Sequence, residues 1–538
     1  MPSSRTKLSR KQQDKKRQGG RAPAPDNFRL EEFLRAHSSR IVALLCVYAG
    51  LRILVFALAF PLFNNVDEQA HLMSIRMYAQ GHWPGKDLPL PDAETARLFS
   101  LYTAPEYLTT KVQMEEFHLD DPLYHVSREN YPYVASRFRT WLKSPNFEAQ
   151  STPLYYLAAA GWYRVGEALG MQGWQLAYWI RLLNPAAYVL LVWASYRFVR
   201  IVFPGRMFLW LGVPALLAVF PQDVYFGINR DVFSAPITAL TLLWMVKAVE
   251  KEHAAWRLAV AALLVALGFL VNVSNCVLYA ALAVTLWFWA RKSAAKPLAK
   301  IAIASGALFA SLALPLIWML HNRAAMGDLT GSRAKIAALG WTMKPVGEIF
   351  HHPLFSFGGL FYFLTNLGER FWRGEYVWHL QPMRWPVADW FYLISSVVLV
   401  AAFAVQVFRD WKDGTPTQHF AEITAPMLVV TSILFMAAIS LPFDFHQCFY
   451  PSQEHPFFLS GRIISGALLP FVLMYASGME FLVKRVGRGA SAAAVLLCLM
   501  AFITITEFSM REAVFSSPYN YFALRSAAPA FIPPPPTK

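Results

Sequence analysis

Two adjacent carboxylates stand in the run Asn64-Asn65-Val66-Asp67-Glu68-Gln69-Ala70-His71. An apolar stretch precedes them, so they fall where a chain would leave a bilayer. A carboxylate at such a low-dielectric boundary can have a raised pKa and act as a general base. On a helix, Asp67 and His71 share a face, and Arg76 lies about one turn further on. The structural alternative is charge capping a helix start, where acids are favoured by the backbone dipole. On the functional reading, Asp67 and Glu68 are the catalytic candidates, with His71 and Arg76 beside the substrate.

A second polar cluster is Pro221-Gln222-Asp223-Val224-Tyr225-Phe226-Gly227-Ile228-Asn229-Arg230-Asp231, held between two apolar runs. Charges at a membrane boundary are costly when unpaired, which makes Asp223, Asn229, Arg230 and Asp231 binding candidates. An Arg230–Asp231 pair capping the next helix is the bland reading. Further along come His321-Asn322-Arg323 with Gly327-Asp328, then Phe371-Trp372-Arg373-Gly374-Glu375, then Ser460-Gly461-Arg462. They add Asn322, Asp328, Trp372 and Arg462 as substrate contacts. An arginine at a span start cannot readily lose its proton, so it must pair or meet an anion. Phosphate suits it, as do a lipid headgroup and a helix cap. A divalent ion, Mg or Mn, would have Asp67, Glu68 and Asp231 to bind, although no spacing requires a metal or any other cofactor. Gly81-His82-Trp83-Pro84-Gly85-Lys86 lacks phosphate-loop spacing. His351-His352 is isolated, and Asn272-Val273-Ser274 lies too near the membrane for a glycan.

The elements that position these residues are membrane spans. Of 538 residues, 56% are hydrophobic and only 15% charged. Soluble domains carry about 25% charge, so disorder, collagen, coiled coil and a disulfide scaffold are excluded. The expected fold class is an all-α polytopic integral membrane protein of about 11–13 transmembrane helices, with large outward-facing first and later loops. Apolar runs long enough for spans lie at about 41–63, 176–199, 207–222, 231–250, 256–272, 275–290, 300–320, 388–408, 424–443, 462–482 and 491–508. A further stretch, 153–170, contains Arg164 and Glu167. If it does not cross, the loops on the N-terminal side carry 15 Lys/Arg against two, Arg230 and Arg462, in the short opposite loops. The positive-inside rule then favours eleven spans, with 153–170 interfacial.

Residues 1–40 hold 11 basic and four acidic side chains, half of the net charge of +15. Beside a span, a cytoplasmic anchor on anionic lipid suits such a run better than nucleic-acid binding. The expected organisation is a basic segment at 1–40, a transmembrane domain at 41–508 and an outer tail at 509–538. The outer loops are 64–175 and 321–387. No cleavable leader is read at the start, no internal repeat is visible, and the four cysteines match no metal pattern.

Taken in order, the motifs resemble the GT-C superfamily of membrane glycosyltransferases, closest to a bacterial predicted-membrane-protein family placed within it. That family shows D-E-x-x-H after the first span, R-N…G-D opening a late loop, then F-W-x-G and G-R-Y. Here they read Asp67-Glu68-Gln69-Ala70-His71, Asn322…Gly327-Asp328, Phe371-Trp372-Arg373-Gly374 and Gly461-Arg462, with Pro153-Leu154-Tyr155-Tyr156 and Arg181-Leu182-Leu183-Asn184 between. Ile463 replaces the expected tyrosine, and Val273-Ser274-Asn275 stands where relatives carry a basic residue. The resemblance covers roughly residues 41–485.

It implies inverting transfer of a sugar from a polyprenyl-phosphate donor to a glycan, lipid or protein acceptor. The setting is the outer face of a bacterial inner membrane, among membrane lipids and with no nucleic acid. Asp67 would be the base, Glu68 and His71 would position the acceptor, and Arg462 or Arg230 would hold the departing phosphate. A lipid-linked-saccharide transporter or flippase, and a surface-polysaccharide polymerase or ligase, are the competing classes.

Overall fold

Apolar runs fold as helices because a backbone in hydrocarbon must satisfy its own hydrogen bonds. In a computed structural model the chain is described from residue 25 to 526, apart from 65, 251–254, 449 and 487–488. Most of the basic segment 1–40 and the proline-rich end of the tail therefore lie outside the described residues. Helix α1 (Pro25–Ala59) is the first span. The long segment after it carries α2 (Glu68–Ala79) and α3 (Leu154–Ala168). Six helices follow: α4 (Leu183–Val202), α5 (Met207–Val219), α6 (Ser234–Glu250), α7 (Ala255–Val271), α8 (Leu278–Lys292) and α9 (Pro297–Met326). A second long segment holds α10 (Arg333–Ala338) and α11 (Phe357–Arg373). Helices α12 (Pro386–Asp410), α13 (Pro416–Ser440), α14 (Leu468–Val486) and α15 (Gly489–Met510) complete the bundle. The strands among the described residues are β1 (Thr342–Met343), β2 (Val377–Trp378), β3 (Gln381–Pro382) and β4 (Phe443–Asp444). Antiparallel pairs join β1 to β4 and β2 to β3.

Among the described residues, nine helical stretches are long and apolar enough to cross a membrane. Two shorter apolar helices, α5 and α7, coincide with the remaining expected spans. The stretch 153–170 forms α3, which is not among the nine and packs along α2. Following the chain back and forth puts Asp67, Asp231 and Arg462 at one end of the bundle, with Arg206, Asp410 and Arg485 at the other.

Helix α5 shows how a short span survives. Thirteen residues rise only about 20 Å, against roughly 30 Å of hydrocarbon. It is packed by α1, α4, α14 and α15, and nearly all of it is buried. Its open end is closed by two buried arginines. Arg52 donates to Phe220 O at 2.9 Å and Ala218 O at 3.4 Å. Arg511 donates to Pro221 O at 2.6 Å and Arg373 O at 2.7 Å. Glu507, fully buried, bonds both guanidiniums and supplies the counter-charge. A span sealed by protein in this way need not match the bilayer.

Candidate active site

The two adjacent carboxylates face opposite surroundings. Asp67 sits in a left-handed backbone conformation (φ 63°) at the start of α2, and its side chain caps no helix N–H. Non-glycine residues reach that region at a cost and concentrate at functional sites. Its side chain is 52% exposed and meets Arg462 Nη2 at 3.0 Å. Glu68 is fully buried. Arg181 grips it with two bonds of 2.7 Å. It also accepts Phe63 N at 2.7 Å, Ile228 N at 2.8 Å and Asn64 Nδ2 at 3.0 Å. Both Glu68 oxygens are thus engaged, tying the segment after α1, the start of α2, Arg181 and the 227–228 turn together, and neither is left free for the expected catalytic role. Neither carboxylate caps an N–H of α2: Asp67 bonds none, and Glu68 bonds Phe63 N and Ile228 N.

From Asp67 a row of alternating charges crosses the end of the bundle. Arg462 also holds Asp231 at 2.9 Å, and Asp231 is fully buried. Arg230 lies 4.0 Å from Asp231 and 2.9 Å from Glu148, which bonds Lys335 at 2.6 Å. Glu375 approaches Arg462 Nε at 4.0 Å and accepts Ser460 Oγ at 2.9 Å. Thus Asp67, Asp231 and Arg462, far apart in sequence, meet. Asn229 fixes the turn by accepting Asp231 N at 2.9 Å, and Asn272 donates to the Asp231 carboxylate.

Several buried polar atoms in this row have no hydrogen bond among the described residues: Arg462 Nε, Arg230 Nε, Glu375 Oε1 and His71 Nε2. Such atoms are scarce in native proteins and ask for a partner. His71 Nδ1 bonds the Tyr156 hydroxyl at 2.8 Å. Burial drives the His71 pKa down to about 3, outweighing the opposing pull of Glu148. Its ring is neutral, so it can offer or accept a hydrogen bond but no charge. Burial also works to raise the Glu148 carboxyl, but Arg230 and Lys335 outweigh it and hold it well below its ordinary range.

Five other expected contacts lie elsewhere. Arg76 reaches Glu94 at 3.4 Å and Asp92 at 3.7 Å, within the first long segment. Trp372 is a core residue: its ring stacks between Phe220 and Tyr392 at 4.5 and 4.6 Å, and its Nε1 donates to Ser396 at 3.0 Å. Asp223 accepts Glu375 N at 2.8 Å and Tyr376 N at 2.9 Å, so it places Glu375 and does not line the row itself. Burial pushes the Asp223 carboxyl up to about 6 despite Arg511 nearby. Asn322 donates to Leu329 O at 3.3 Å, and Asp328 accepts Ser332 N at 2.8 Å and Arg333 N at 3.0 Å. These two shape the turn before α10, the helix that delivers Lys335. Arg76, Asp223, Asn322, Asp328 and Trp372 thus make contacts of their own apart from the charged row.

Glu148, Lys335, Glu375 and Arg181 were not among the expected site residues. Glu148 and Lys335 sit in segments of mixed composition with no motif. The signal for Glu375 was its place after Trp372-Arg373-Gly374. Gly374 has φ 93°, and an added Cβ would run into the Asp223 carboxylate. Gly461 lies so close to the backbone of Arg370 and Phe371 that a side chain would collide there. These two glycines let Glu375 and Arg462 converge.

No group of three or more His, Cys, Asp or Glu among the described residues could hold a metal ion. Glu68 is turned into Arg181, and the Arg462 guanidinium occupies the space that Asp67 and Asp231 share. The proposed metal ligands therefore do not fit a metal; an arginine supplies the positive charge between them.

Apolar helices with charged groups gathered at the two ends of the bundle define a polytopic all-α membrane protein. The chain belongs to the family described as Predicted membrane protein (DUF2142), whose pattern matches residues 51–445. That stretch holds Asp67, Arg230, Asp231, Lys335 and Glu375 and ends before Arg462. No curated protein matches the chain.

Proposed function

We propose that the protein is a GT-C-type glycosyltransferase that moves a sugar from a polyprenyl-phosphate donor to a hydroxyl of a cell-envelope acceptor, on the outer face of a bacterial inner membrane. The donor phosphate takes Asp67's place on Arg462 and leaves the Asp67 oxygen to the acceptor. The acceptor oxygen attacks the anomeric carbon as its proton passes to Asp67. The bond from that carbon to the phosphate oxygen breaks, configuration inverts, and polyprenyl phosphate departs on Arg462. Arg230 adds positive charge where negative charge develops, which stabilises the transition state.

The observation that carries this reading is the pairing of a half-exposed, uncapped Asp67 with Arg462, whose Nε lacks a hydrogen bond. The motif order and the expected charge asymmetry support it. A transporter would call for charged residues deep in the spans and for internal repeats, and no repeat is visible in the sequence. Of the intramembrane charges, Arg52, Glu507 and Arg511 bond one another and backbone carbonyls. The test is sugar transfer by purified protein in vesicles, offered a panel of radiolabelled polyprenyl-phosphate sugars. Asp67→Asn keeps shape but cannot take the proton, so turnover should fall by roughly 10² to 10⁴. Near-normal turnover would end the assignment.

A further inference from the structure

At the end of the bundle away from Asp67, the ends of α12 and α14 and the turn before α5 enclose a cleft of about 260 Å³. Arg206, Arg409, Lys484 and Arg485 line it, against the carboxylates Asp410 and Glu480. Both acids are already engaged. Glu480, nearly buried, takes Arg206 at 2.9 Å and Lys484 at 2.8 Å. Asp410 takes Arg409 at 2.8 Å. Glu422, the next acid, is bonded to His419 at 3.3 Å. Arg485 has no carboxylate partner among the described residues. Its guanidinium lies over the Phe481 ring at 4.3 Å, and Arg409 lies over the same ring at 5.2 Å.

One ring thus holds two guanidiniums in a cleft with two more positive charges than negative. Like charges so placed repel until an anion joins them, and planar guanidiniums favour phosphate oxygens. The surroundings point to a lipid. Along α12 the side chains Ile394, Val397, Val398, Val405 and Phe408 are exposed, Phe408 at 87%. They form an apolar stripe that ends beside Arg409. Basic pockets between spans are suited to acidic headgroups.

We propose that this cleft binds the phosphate-bearing headgroup of an anionic phospholipid, with Arg409 and Arg485 on the phosphate and the acyl chains along α12. The site is separate from the Asp67–Arg462 end and does not depend on the reaction proposed there.

The test is lipid retention read by native mass spectrometry after reconstitution in nanodiscs. Phosphatidylglycerol in phosphatidylcholine supplies the ligand, and phosphatidylcholine alone is the control. The wild-type protein should keep phosphatidylglycerol at least tenfold over phosphatidylcholine, a comparison that needs no variant. Arg409→Gln with Arg485→Gln should abolish that preference, because both side chains are exposed and their loss leaves the bundle packed. Soluble glycerol phosphate should not displace the lipid. Equal retention of the two lipids, or an unchanged preference in the double variant, would overturn the proposal. Displacement by glycerol phosphate would show a site for free phosphate esters and would overturn it too.

Discussion

One peptide bond separates Asp67 from Glu68, yet removing either charge should have unlike consequences. Glu68→Gln leaves Arg181 buried with no counter-charge. Breaking a buried pair typically costs about 3–5 kcal/mol, so this variant should melt early in detergent. Asp67→Asn should melt like the parent, because its side chain is half exposed; a thermal scan of both separates them. The adjacent acids were legible as a pair, but the division of labour was not. It depends on Arg181, which lies 113 residues from Glu68. His71 gives a pH signature. Above pH 6.5 its ring is neutral whether the chain is folded or unfolded. Below that the unfolded ring gains a proton that the folded ring refuses until about pH 3. Stability from this site is therefore complete above 6.5 and falls as pH drops through that window. At pH 5 the loss should approach roughly 2 kcal/mol. His71→Gln, which can still bond Tyr156, should lose less stability between pH 7 and pH 5 than the parent.

Short elements set the site's geometry, and these were the least legible part of the sequence. The β2–β3 hairpin and the turn before it place Glu375, and their anchor is a contact between Asp223 and the backbone of Glu375 and Tyr376. No periodicity marks such an element; only its glycine did. Gly374→Ala forces a conformation natural to glycine alone, at a backbone cost of roughly 1–3 kcal/mol, and drives a methyl into Asp223. Turnover should fall together with melting temperature, unlike the pattern for Asp67→Asn. Asp328 caps the turn that launches α10, and losing a cap of this kind costs about 1 kcal/mol. Asp328→Ala should speed amide exchange over 328–338 and loosen Lys335 from Glu148. The motif around Trp372 carried no sign of its packing: its two stacking partners, Phe220 and Tyr392, are distant from it in sequence or lie on another helix.

Across the whole molecule the sequence was most legible. Each of the eleven apolar runs is a helix, since hydropathy alone dictates them. The meeting of Asp67, Asp231 and Arg462 followed from assigning all three to one boundary. Orientation has its own test. A cysteine placed at Ala294, exposed in the basic loop between α8 and α9, should resist impermeant thiol reagents added outside intact cells and react once the membrane is opened; labelling from outside would reverse the assignment. The Arg52–Glu507–Arg511 cluster bears on how the molecule is made. Arg52 enters the bilayer with the first span, while its carboxylate partner is synthesised 455 residues later. Throughout that interval a charged side chain in the first span has no counter-charge, and until α5 is made it has no carbonyl of that helix to bond either. Biogenesis therefore cannot finish from the front. The nascent bundle must be sheltered, by the insertion machinery or by water, until α15 emerges and closes it.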